Sequence, residues 1–169
     1  MGENAGVEGR QLMGPGFPGD EGAADPAVES ALASYSLDPS HAPHALAALA
    51  RSRLLVPVVA VLGELDEHGG DKSSDMATVL LTGADGRQAL LAFTCTTSLA
   101  AWNADGRPVP VLARDAARAA LQDAAAALVV DVAGPVPFVI EGAALKRIAR
   151  GFTLTAVADG LAWIGPASE

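Results

Sequence analysis

The sequence predicts an α+β domain, a mixed β-sheet of five to six strands with flanking helices and an N-terminal helical hairpin. Three observations carry that expectation. The apolar runs Leu54–Leu62, Met76–Thr82 and Ala89–Thr94 form a meander around an Asp85-Gly86 turn. Two capped helical segments precede it, and a strand, helix, strand pattern follows over residues 109–132. Half the residues are apolar but only 4% are aromatic, so the core must come from Ala, Val and Leu in closely approaching elements.

Residues 1–25 hold seven glycines, Pro15, Pro18 and five acids against Arg10. So little apolar surface cannot offset the entropy of ordering, and the segment reads as a disordered tail before a single domain at 26–165. Met13 is an alternative start within it. Asp25-Pro26 opens a helix, the aspartate as N-cap and the proline at the first helical position, with Val28, Leu32 and Tyr35 on one face. Asp38-Pro39 ends it, and Ser40 is read as the cap of a second helix reaching Ser52 with Leu46 and Leu49 inward.

The run from Leu54 is apolar at nearly every position, as a strand covered on both faces requires. Pro57 interrupts it and must turn its nitrogen to an edge or bulge. Residues 63–75 are polar and too long for a minimal hairpin. Asp85-Gly86 supplies the positive φ that the next connection needs. The third strand runs into a short helix through Trp102, read with a threonine cap and with Leu99 and Trp102 facing in.

Val109–Leu112, an alanine-rich helix over 113–124 and Leu128–Val132 read as a right-handed parallel crossover, with Ala117, Ala120, Leu121 and Ala124 buried. Gly134-Pro135 turns the chain into Val136–Ile140. A helix follows from Glu141-Gly142 to Arg150 with Gly151 as its stop, and then a hairpin around Asp159-Gly160.

The runs Lys72–Leu81, Ala92-Phe93-Thr94 to Trp102, Arg107–Val111 and Val130–Pro135 with Phe138-Val139-Ile140 together resemble the SseB N-terminal domain family in its high-GC bacterial form. The resemblance covers residues 27–150. It implies an α+β domain without an agreed biochemical activity, in a family named for a serine-sensitivity phenotype, and hints at ribosome-linked or regulatory partners. Some members carry a second, C-terminal domain. Rhodanese-type sulfurtransferases are a different family, and nothing transfers from the likeness of name.

Formal net charge is −9, which disfavours nucleic-acid binding by general electrostatics. From Gly106 onward six acids and six bases cancel, so a local basic surface is compatible with the total. One cysteine excludes an internal disulfide and a cysteine-rich metal site, no apolar run is long enough to span a bilayer, and no basic-then-apolar leader opens the chain. The expectation is a cytoplasmic protein without membrane contact.

Candidate sites are few. Cys95 stands where a strand enters a helix, a place that favours a thiolate, yet it is followed by Thr96, Thr97 and Ser98 and by none of the glycines and arginine that cradle an anion. Asp66, Glu67, Asp71 and Asp75 lack the Asp-x-Asp-x-Asp-Gly order of a calcium loop, and Gly69–Ser73 lacks the spacing and following helix of a phosphate loop, so neither metal nor cofactor is expected. His41 and His44 have no third ligand nearby, and Ser73-Ser74 no paired base. Lys146, Arg147 and Arg150 suit an anionic partner, and equally the end of a helix dipole.

The favoured expectation is a noncatalytic interaction or regulatory module whose surface includes Lys72, Ser73, Ser74 and Asp75 and whose partner is another protein. The alternatives are a thiol-dependent enzyme using Cys95 and a ribosome- or RNA-associated protein using the basic helix.

Overall fold

The computed structural model describes residues 16–61 and 75–167. Helices α1 (Pro26–Leu37) and α2 (Ala42–Ala50) form the N-terminal hairpin. Asp25 caps α1 by accepting from the Ala27 N–H at 2.8 Å. Asp38, not Ser40, caps the junction: its carboxylate accepts from the Ser40 N–H at 2.9 Å and starts a 3₁₀ turn, Pro39–His41, ahead of α2. A carboxylate two residues upstream reaches that donor, which a serine cannot do for its own amide.

The strands are β1 (Arg53–Val61), β2 (Asp75–Thr78), β3 (Leu80–Thr82), β4 (Gln88–Ala92), β5 (Arg107–Leu112), β6 (Ala127–Val130), β7 (Phe138–Glu141), β8 (Thr153–Val157) and β9 (Gly160–Ile164). They form sheets β2-β1-β5, β3-β4-β6-β7 and the hairpin β8-β9. Leu55 and Phe93 exchange two 2.8 Å backbone bonds that join the first two. With α3 (Thr96–Trp102), α4 (Ala113–Gln122) and α5 (Gly142–Ala149), the class is α+β with mixed sheets. Among the described residues there are nine strands where five to six are expected, because the run 76–82 breaks at Val79 and the last hairpin forms its own sheet.

Alternation along the strands divides the core. Leu54, Val56, Leu90, Ala92, Leu128, Val130 and Ile140 face α1, α2, α4 and α5. Leu55, Leu91 and Phe93 face the other way, against Leu99, with Trp102 packed alongside. Both faces are therefore covered along Leu54–Val56 of β1 and Leu90–Ala92 of β4, as their apolar runs require. The buried alanine stripe of α4 is Ala113, Ala116, Ala117 and Ala120, one turn before the expected set: Leu121 is 39% exposed, and Ala124, past the helix end at φ +56°, is exposed too.

The expected β5–α4–β6 crossover does not form. β5 pairs antiparallel with β1, while β6 pairs parallel with β4. Prolines decide this. Leu55 spends its backbone groups on Phe93, so Leu55 and Pro57 face away from β5, and opposite them in the β1–β5 ladder stand Pro110 and Pro108. The nitrogens of Pro108 and Pro110 point to the outer edge of β5, which lacks two of its donors and cannot receive β6. Pro57 lies inside the central strand, between the Phe93 bridge and the first β2 pair, Val58 with Thr78.

Residues 16–25, assigned by composition to the tail, make specific contacts. Arg53 pairs with Asp20 at 2.7 Å and donates to the Ala23 carbonyl at 2.6 Å, and the Gly22 carbonyl accepts from the Thr96 N–H at 2.8 Å. These are polar attachments, invisible to an argument from apolar content. Residues 1–15 lie outside the described set.

Candidate functional site

β4 and β6 are parallel neighbours, with Ala92 opposite Val130, so the residues that leave their carboxyl ends emerge side by side. In sheets of this kind that end is where polar groups and crevices gather. Thr94 follows β4 and Asp131 follows β6. Asp131 is 4% exposed and holds φ +53°, a left-handed conformation that a short polar side chain tolerates better than most.

Both oxygens of its carboxylate are hydrogen-bonded. Oδ1 accepts from the Thr94 N–H at 2.8 Å and from the Ser98 hydroxyl at 2.6 Å, and Oδ2 accepts from the Thr94 hydroxyl at 2.6 Å. Hydrogen bonds to a buried charge contribute about 1.5–3 kcal/mol each. Among the described residues no buried side-chain polar atom lacks a partner.

Cys95 stands next in the chain and caps α3. Its sulfur accepts from the Ser98 N–H at 3.4 Å, and Ser98 Oγ accepts from the Cys95 N–H at 3.4 Å. The expected threonine cap is thus a cysteine, because the helix begins at Thr96 and the preceding residue holds the extended backbone. The sulfur is half-buried and 3.6 Å from Ser98 Oγ, placing thiol, hydroxyl and Asp131 carboxylate in series. No ion pair of the described residues places a cation on Asp131; the nearest guanidinium in the network is that of Arg53, which donates to the Thr94 carbonyl at 2.9 Å.

Beside this cluster lies a cavity of about 570 Å³ between α1, α3 and the β6–β7 connection. Leu32, Ala33, Ala101, Ala133, Pro135 and Val136 make its walls largely apolar, and Thr94, Cys95, Ser98 and Asp131 form its polar floor. The small side chains on α1 and α3 are what leave the space.

Of the residues singled out from sequence, only Cys95 belongs to this site. Lys72, Ser73 and Ser74 lie outside the described residues, and Asp75 begins β2, its backbone opposite Val61. Lys146, Arg147 and Arg150 are exposed around the end of α5. The Arg147 guanidinium stacks 5.5 Å from the centre of the Trp163 ring, and Arg118 of α4 donates to the Ala149 carbonyl at 2.8 Å, adding a cation to that end. His41 and His44 are exposed with ring centres 6.2 Å apart. Among the described residues no three His, Cys, Asp or Glu side chains gather as a metal would need. Asp131 is not among the residues that the sequence singles out. The available signal was an acid directly after a wholly apolar run and before Gly134-Pro135.

A family model described as the SseB protein N-terminal domain matches residues 28–147. No curated protein and no solved structure matches the chain. No helix of the described residues is long and apolar enough to cross a membrane.

Proposed function

Because the chain belongs to the SseB N-terminal domain family, whose model covers well over half of it, we propose that it is a noncatalytic cytoplasmic module that binds another protein through the cavity between α1 and α3. One observation carries this reading. The polar floor of the cavity is bonded to itself, Asp131 to Thr94 and Ser98 and Cys95 to Ser98, so the groups best placed for chemistry hold the fold. What faces outward is an apolar pocket of a size that receives a partner's side chain as an anchor.

Replacing Ala101 by Trp fills the cavity without disturbing the floor. Partners cross-linked to the wild-type chain in its own cells should be lost from this variant, and an unchanged set removes the cavity from the proposal. Lys72→Ala combined with Asp75→Ala tests the loop that the sequence favours as a surface, with the same readout.

The rival reading is a thiol-dependent enzyme, favoured by the series Cys95, Ser98, Asp131 on a cavity floor. A cap employed in folding reacts slowly with iodoacetamide in the native chain and quickly once urea unfolds it. Native labelling as fast as unfolded labelling favours the enzyme.

A further inference from the structure

The segment leading into α1 is seated on the domain in the manner of a bound peptide. The Asp20 carboxylate meets Arg53 at 2.7 Å, with side-chain exposures of 15% and 14%, while the Asp20 backbone stays open to solvent. The same guanidinium binds the Ala23 carbonyl at 2.6 Å, and Thr96 N–H binds the Gly22 carbonyl at 2.8 Å. Gly22 is buried at φ +77°, and a β-carbon there would overlap Thr96 Cγ2, so any other residue must push that side chain aside and take a strained backbone. Asp20 Oδ1 accepts the Gly22 N–H at 2.8 Å, which holds the Asp-x-Gly turn ready-formed, and Ala24 then contributes to the cavity wall.

Two features separate this segment from the domain beneath it. The receiving residues Arg53, Thr94 and Thr96 fall inside the family match at 28–147, while the seated residues precede it. The attachment is also polar: the buried position, Gly22, has no side chain, and Phe17 and Ala24 are only half-buried. Contacts of this kind open locally at small cost compared with global unfolding.

We propose that Arg53, Thr96 and the adjoining cavity wall form a recognition site for an extended Asp-x-Gly segment of a partner protein, which the chain's own residues 20–24 occupy until the partner displaces them. The inference rests on the interaction reading above and gives it a ligand chemistry and a control. A carboxylate is required by Arg53, a carbonyl two residues on by Thr96, and glycine at that residue by the Thr96 methyl. A segment tethered directly to α1 competes at an effective concentration of about millimolar, so the intact chain binds a free peptide weakly.

The test uses the full chain and a fluorescein-labelled peptide with the sequence of residues 17–25. Asp20→Ala should release the segment, raise peptide affinity about tenfold over wild type and speed Cys95 alkylation by a similar factor. Adding Arg53→Ala, or using a peptide with alanine at the Gly22 position, should abolish binding. Gly22→Val serves as a second releasing variant should Asp20→Ala melt non-cooperatively. Faster alkylation without peptide binding overturns the recognition site while leaving the interaction module standing. Peptide binding to Asp20→Ala, combined with partners that ignore Ala101→Trp, upholds this site and removes the cavity from the function. Equal binding to wild type and both releasing variants shows that the segment controls nothing.

Discussion

Asp131 concentrates the stakes of this molecule in one side chain. It is buried, carries a positive φ and collects three donors from two residues, Thr94 and Ser98. Removing an acceptor from buried donors costs more than the bonds contribute, since the donors stay dry and unpaired. Asp131→Ala should therefore destabilise the chain by about 3–5 kcal/mol in urea unfolding. Asp131→Asn keeps the left-handed backbone and one acceptor, and should lose about half as much. A loss under 1 kcal/mol for both would show that the network contributes nothing net. Cys95→Ser, which puts a hydroxyl oxygen where the sulfur accepts from the Ser98 N–H, should change stability by less than about 1 kcal/mol in the same measurement.

At the scale of elements, edges and turns decide what pairs with what. The connection Gly83–Arg87 closes with Gly83 N–H to the Arg87 carbonyl at 2.8 Å and Gly86 at φ +80°. The Arg87 guanidinium, and with it the Arg87 N–H, holds the exposed Asp85 carboxyl below its ordinary range. A depressed carboxyl stabilises the folded turn above the unfolded value and loses that contribution as pH falls through the folded one. Amide exchange at Gly83 and Gly86 should accordingly quicken on acidification below pH 3.8, the usual value for that side chain. Asp85→Asn should abolish the acid dependence. The outer edge of β5 offers a second case. Pro108 and Pro110 withhold donors there, so Pro110→Val restores an N–H to an edge that native proteins keep unpaired. That variant should self-associate in sedimentation at concentrations where the wild type does not, and an unchanged sedimentation coefficient would mean that something other than proline protects the edge.

Across the whole molecule, the parallel β4–β6 pair determines where function is sought. It carries Thr94 and Asp131 out on the same side, where they floor the cavity that α1 walls. β4 and β6 are separated by α3, β5 and α4, so this pair closes a long loop and depends on burial for its stability. Leu128, fully buried on β6 within the larger core, should cost about 3–4 kcal/mol as Leu128→Ala, read from the urea midpoint at constant m-value. Cys95 alkylation should quicken in that variant too if the floor of the cavity opens with the pair.

Much of this architecture was legible in the residues alone. Helix starts at Asp25-Pro26, the Asp85-Gly86 turn, the Gly151 stop at φ +84° and the doubly covered run from Leu54 all follow from local sterics, capping and hydrophobic period, and these act within a few residues of one another. The alpha-plus-beta class follows from the same spacings, carried along the chain, while the family rests on the likeness over residues 28–147. Strand partners did not follow, because β5 and β6 offer similar apolar faces and the choice between them depended on which hydrogen-bonding edge two prolines had blocked. Nor did the site: Thr94, Ser98 and Asp131 are up to 37 residues apart, and a carboxylate's three donors become visible only once parallel strands set them side by side. The seated segment at residues 20–24 belongs to the same category, since an arginine and a threonine distant in the chain, rather than any apolar content of its own, hold it in place.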